Sequence, residues 1–129
     1  PTIDIDVFAS YASSSFLAPL KDVYEYLVRN YHAKFEADMI RIGSLYLQFL
    51  PSDSKNPVDA EAVRHPNFIQ TGLRLFELEY LICSMLYVGS RKYKPRLEKV
   101  IKEAMYDKKK LDILLRKFHI ETAWRDIVL

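Results

Sequence analysis

The sequence predicts an all-α fold, a compact bundle of about five main helices around a central apolar helix at 67–88. Three observations predict it. The stretch 68–88 is mostly apolar and too long for one strand, since strands rarely exceed about ten residues. Apolar residues recur at three- and four-residue spacing through most of the remaining chain. Only three glycines occur in 129 residues, few for a fold rich in tight turns.

A chain of this length suits a single domain over 1–129 with an ordinary hydrophobic core. Half the residues are apolar and 28% are charged, which is not a disordered composition. The single cysteine, Cys83, rules out an internal disulfide and reads as a small core residue. With neither a signal peptide nor a disulfide framework, the expected setting is intracellular, in cytoplasm or nucleus.

In chain order, Ile3, Ile5 and Val7 alternate with polar residues as in a strand. The rest of the chain offers no strand to pair with, so 1–12 is expected to be an extended arm, with Asp6 capping a short turn. Ser13, Ser14, Ser15 and Pro19 are start signals for a helix at 18–30, along which Phe16, Leu20, Val23, Tyr24, Leu27 and Tyr31 recur. Phe35, Met39, Ile42, Tyr46 and Phe49 follow a four-three spacing and predict a second helix at 34–50. Gly43 inside it costs about 1 kcal/mol relative to alanine and permits a close helix crossing. Pro51 and the polar run to Pro57 form a loop, and Asn56 with Pro57 starts a short helix over 58–64.

The central helix has Asn67 as its cap, Gln70 three residues on, and Gly89 just past its end. Leu81 is its buried middle. Gln70, Arg74, Glu77 and Ser84 form its wet stripe. Arg74, Glu77 and Glu79 argue against a membrane span, because each central charge costs about 2.5–3.5 kcal/mol. Pro95 opens a helix at 95–106 with a stripe of Leu97, Val100, Ile101, Ala104 and Met105. Asp107 caps another at 108–119, with Leu111, Leu114, Leu115 and Phe118 inward. A last piece from Glu121 has an apolar face of Trp124, Ile127 and Val128.

No catalytic set is legible. His32, His65 and His119 fall in different elements, and Glu61 with His65 lacks a second pair, so no metal or cofactor is expected. Glu36 with Asp38, and Glu77 with Glu79, are two apart and point in different directions on a helix. No glycine-rich phosphate loop precedes a helix. The chain is therefore expected not to be an enzyme.

Charge is the strongest chemical signal. Residues 91–129 carry twelve basic and six acidic side chains, against six and nine in 1–64. Arg91, Lys92, Lys94, Arg96, Lys99, Lys102, Lys108, Lys109, Lys110, Arg116 and Lys117 form a candidate surface for nucleic acid or an acidic partner. Tyr93 and Tyr106 lie among them and could stack on bases. Tyr24, Tyr26 and Tyr31, with Trp124, Ile127 and Val128, form a candidate protein interface. The leading expectation is a non-enzymatic helical interaction or oligomerisation domain, part of a larger protein or assembly, whose partner is a protein and in the simplest case a second copy. The alternative is an RNA- or DNA-binding module using the basic helices at 91–117.

Overall fold

A computed structural model describes residues 3–9, 20–37, 39–51, 55–68, 72 and 74–129. The chain divides into two compact units, Pro1–Asp53 and Ser54–Leu129. The fold is α/β, with a four-stranded mixed sheet and six helices among the described residues. The all-α helical bundle is thereby corrected.

The first unit runs β1 (Ile3–Ala9), α1 (Lys21–Tyr31), β2 (Lys34–Glu36), β3 (Met39–Ile42) and β4 (Leu45–Pro51). The strand order is β1-β4-β3-β2, with β1 parallel to β4 and the other pairs antiparallel. The expected helix at 34–50 is thus three strands. Its four-three apolar spacing is a by-product of residues that also fit a period of two, Leu45, Leu47 and Phe49 on one face and Tyr46, Gln48 and Leu50 on the other. Gly43 belongs to the two-residue turn between Ile42 and Leu45, at φ 60°, where glycine carries no steric penalty. The β2–β3 hairpin turns through Ala37 at φ 55°, so that turn has no glycine to announce it. Once 45–51 is a strand, β1 has its partner along seven residues, and the expected arm over 1–12 is corrected for residues 3–9.

Ile5, Leu47, Ile40 and Phe35 stand opposite one another across all four strands and mark the apolar face. α1 meets this face through Tyr24, whose ring is edge-on to Phe35 at 5.4 Å and to Phe49 at 5.7 Å. Ile40 and Ala33 are buried there. The opposite face is polar, with Asp4, Tyr46, Arg41 and Lys34 in one row across the strands. α1 begins at Lys21, without a side-chain cap, and ends at His32 in the left-handed region. Its expected serine start signals and Pro19 lie outside the described residues.

The second unit contains α2 (Pro57–Arg64), a two-stranded ladder of β5 (Asn67–Phe68) and β6 (Arg74–Leu75), and α3 (Leu78–Val88). A 3-10 turn (Arg91–Tyr93), α4 (Lys94–Glu103), α5 (Lys108–Lys117) and α6 (Glu121–Val128) follow. The central helix expected at 67–88 is corrected to this hairpin and an eleven-residue α3. Gly72, at φ 78°, lies between the hairpin strands, and Glu77 is extended at the helix cap, so the chain cannot be helical through 67–77. Asn56, Asp107 and Gly89 terminate helices as expected. Asn56 accepts from the N–H groups of Val58 and Asp59, Asp107 from those of Lys109 and Lys110, and Gly89 is left-handed at the end of α3.

α3 is the centre of the second unit. Ile82 and Cys83 are fully buried, together with Val58 and Ala62 of α2. Leu97, Leu111, Leu114, Leu115 and Ile120 complete the core. Leu81 is on the outer side, 42% exposed, and is not the buried middle of the helix. Polar clamps hold the neighbours. Buried Glu79 accepts the Asp107 N–H at 2.7 Å, the Ser84 hydroxyl meets Asp59 at 2.5 Å, and the Tyr80 hydroxyl donates to Glu61 at 3.2 Å. Among the described residues, no helix is long and apolar enough to cross a membrane.

Candidate functional site

The basic stretch follows from the amphipathic pattern of α4 and the start of α5. Leu97 is buried and Val100 and Ile101 are half-buried, which turns Lys99 and Lys102 to the opposite side of α4. Arg91, Lys92, Lys94 and Arg96 are exposed too, as are Lys108 and Lys109 at the start of α5. The Lys92 ammonium lies 5.0 Å and the Arg96 guanidinium 5.9 Å from the centre of the Tyr93 ring. That ring is half-buried against the core, so it anchors two cations and has little face left for a base.

Three of the expected cations pair with acidic side chains of the same unit. Lys110 pairs with Glu77 and lies over the Tyr80 ring, Lys117 pairs with Glu61, and Arg116 meets Asp112 at 2.7 Å. Arg91, Lys92, Lys94, Arg96, Lys99, Lys102, Lys108 and Lys109 have no anionic partner among the described residues. α6 packs against both α4 and α5, which make no comparable contact with each other. The basic surface is therefore the 3-10 turn with α4, continued by the first turn of α5, and not a broad patch over two adjoining helices. Glu98 and Glu103 are also exposed on α4 and dilute it. Tyr106 is set edge-on to Trp124 at 6.4 Å in the core, which removes it as a stacking platform.

The candidate protein-contact residues are dispersed. Tyr26 and Tyr31 are both more than half exposed, with ring centres 6.1 Å apart. Tyr24 is engaged on the sheet. Trp124 and Ile127 pack against the core of the second unit, and Val128 remains 45% exposed. Along α1, Lys21, Tyr24, Glu25, Val28, Arg29 and Phe35 border an open groove of about 470 Å³.

The reactive groups are muted. Burial, with the charge of Glu79, pushes the Cys83 thiol up to about 12, so the nucleophilic thiolate is absent at neutral pH. Burial, followed by the charge of Glu61, pushes the Tyr80 hydroxyl up to about 12. Burial also works upward on the Glu61 carboxyl, but the hydrogen bonds and charge of Lys117, with Tyr80 and His65, outweigh it and lower its pKa. Among the described residues, no group of three or more histidine, cysteine or acidic side chains could hold a metal ion.

One cluster escaped sequence reasoning. Glu36 accepts from the Tyr46 hydroxyl at 3.0 Å and from Arg41 Nε at 2.8 Å, which ties β2, β3 and β4 together on the polar face. The hydrogen bond to Glu36, with burial and the carboxylate charge, raises the Tyr46 pKa. Residues ten apart meet here only because two hairpins fold them together, and the Gly43-Ser44 turn was the available signal. The chain matches no protein family, no curated protein and no solved structure with which it was compared.

Proposed function

We propose that the chain binds nucleic acid, RNA or DNA, through the exposed cations of residues 91–109, and that it does so without catalysing a reaction. The observation that carries this reading is the run of eight exposed cationic side chains with no anionic partner among the described residues. Their surroundings support it. Ser54–Leu129 contains fifteen basic and ten acidic residues, a formal +5, while Pro1–Asp53 contains four and seven, a formal −3. Phosphate contacts of this kind fix affinity and carry little sequence information, so binding is expected to be broad in sequence. Lys99 and Lys102 are the residues of choice for a test, being exposed and on the side of α4 away from Leu97. Replacing both by glutamate lowers affinity for a labelled mixed-sequence oligonucleotide by about tenfold or more in fluorescence anisotropy, and leaves the thermal midpoint near that of the parent. Equal affinity of parent and variant would remove α4 from the interface.

A protein-interaction role is the second reading, and α1 is the observation that favours it. None of its described side chains is buried, Val23, Tyr26, Val28 and Tyr31 are exposed, and Val28 borders the groove that Phe35 also lines. The expected helix at 67–88 would have left more apolar surface for a partner than α3 does. α3 is half that length and finds its cover in α2, α5 and α6. A second copy of the chain is the first partner to test, by light scattering over a hundredfold range of concentration. A mass that stays monomeric throughout would sink the self-association form of this reading. An intracellular setting goes with either reading, since the one cysteine is a free, buried thiol.

A further inference from the structure

The polar face of the sheet carries a second cationic feature, in the unit that lacks the basic helices. Lys34 and Arg41 stand directly opposite each other on β2 and β3, so both side chains leave the same face. Like charges at directly opposed positions destabilise a sheet unless an anion lies between or beside them. Glu36 answers only part of this charge, meeting Arg41 at Nε. A guanidinium has five N–H donors, and beyond Glu36 Arg41 has no anionic partner among the described residues. Lys34 has no anionic partner among them either.

These two side chains border a pocket of about 240 Å³ with His32 and Gly43, and none of the four is a carboxylate. Each wall has a local cause. His32 is brought there because α1 terminates on it in the left-handed region, at φ 53°. Gly43 lies in the two-residue turn after β3 and leaves that wall free of a side chain, with nothing within 4 Å of where a Cβ would stand. The volume falls below the roughly 300–1,000 Å³ of sites for drug-sized ligands, so the natural occupant is compact. A planar guanidinium fork beside an ammonium and an imidazole suits a tetrahedral oxyanion with several acceptor oxygens.

We infer that the pocket formed by His32, Lys34, Arg41 and Gly43 binds a phosphate-class oxyanion. The phosphate is either that of a small molecule or that of a nucleic-acid backbone. The site belongs to Pro1–Asp53 and does not depend on the basic residues of α4.

The test is a nuclear magnetic resonance titration of the full isotope-labelled chain with inorganic phosphate, then pyrophosphate, at ionic strength held constant with chloride. A single-stranded oligonucleotide is titrated in a separate arm. The inference expects a saturable shift of the Gly43 amide and the Arg41 side-chain signals. It expects Lys34→Glu to weaken that response by about tenfold or more, because an acid then faces Arg41 in place of the ligand. Lys34 is exposed and the Arg41–Glu36 pair is untouched, so this variant keeps its fold. Arg41→Lys, which keeps the charge and loses the fork, weakens binding as well. A response to the inorganic anions identifies a small-molecule phosphate site. A response to the oligonucleotide alone, lost in Lys34→Glu, identifies a backbone contact. No saturable response in either arm, or an unchanged response in Lys34→Glu, overturns the inference. The Lys99→Glu/Lys102→Glu protein keeps the pocket response to inorganic phosphate, which separates a failure here from a failure of the α4 reading.

Discussion

Cys83 and Tyr80 show how burial sets chemistry one residue at a time. Both sit on α3, and for both burial is the leading cause of a pKa pushed up to about 12, from ordinary values of 9.0 and 10.0. A group whose folded pKa is raised contributes stability that is complete below its unfolded pKa. That contribution is lost as pH rises through the folded value. Stability is therefore expected to decline from about pH 9 upward, and urea midpoints measured from pH 7 to 11 check it. The same burial predicts that a thiol reagent at neutral pH leaves Cys83 untouched until the protein unfolds. That Cys83 is a core residue was legible, because it stands in an apolar run. The burial of Glu79 was not, because its partner, the Asp107 N–H, lies 28 positions along the chain. Leu81 was misread for a related reason. In a run that is apolar on every side, sequence does not tell the inner positions from the outer ones. Ile82→Ala should cost about 2–5 kcal/mol, whereas Leu81→Asp, on the exposed side, should leave the protein folded. Chemical denaturation of the two variants distinguishes them, and an unfolded Leu81→Asp protein would contradict the assignment of faces.

Helix ends were the most readable elements, and the sheet the least. Asn56, Asp107 and Gly89 terminate helices for local reasons, a side-chain acceptor or a tolerated left-handed turn, and local reasons can be read from a few residues. Strand pairing is not local. β1 and β4 pair across some forty residues, so the strand-like alternation of Ile3, Ile5 and Val7 finds no partner until 45–51 is read as a strand. The 34–50 segment added a competing helical spacing. Gly43 and Ala37 carry the testable difference between helix and hairpins, since both have positive φ. Gly43→Ala meets no atom within 4 Å, so its cost of about 1 kcal/mol is purely conformational. Ala37→Gly should stabilise the first unit by up to about 1 kcal/mol for the converse reason. In a helix at 34–50 both signs would reverse, with Gly→Ala stabilising and Ala→Gly destabilising. Thermal melts of the two single variants therefore decide between the two folds.

At the scale of the whole molecule the charge is unevenly shared, a formal −3 on the first unit and +5 on the second. This asymmetry was visible in the sequence, since it needs only counting. Which cations are available was not visible, because Lys110 and Lys117 are paired with glutamates 33 and 56 positions away. The remaining exposed cations of residues 91–109 make nucleic-acid binding the central claim, and its most direct test is the salt dependence of affinity. Anisotropy titrations with an RNA and a duplex DNA between about 50 and 200 mM salt give log affinity against log salt concentration. If four to six of these side chains meet phosphates, the slope for duplex DNA is roughly −4 to −5, and it becomes shallower by nearly two in Lys99→Glu/Lys102→Glu. No measurable binding at the lowest salt, or a slope near zero that the variant does not change, would contradict the account.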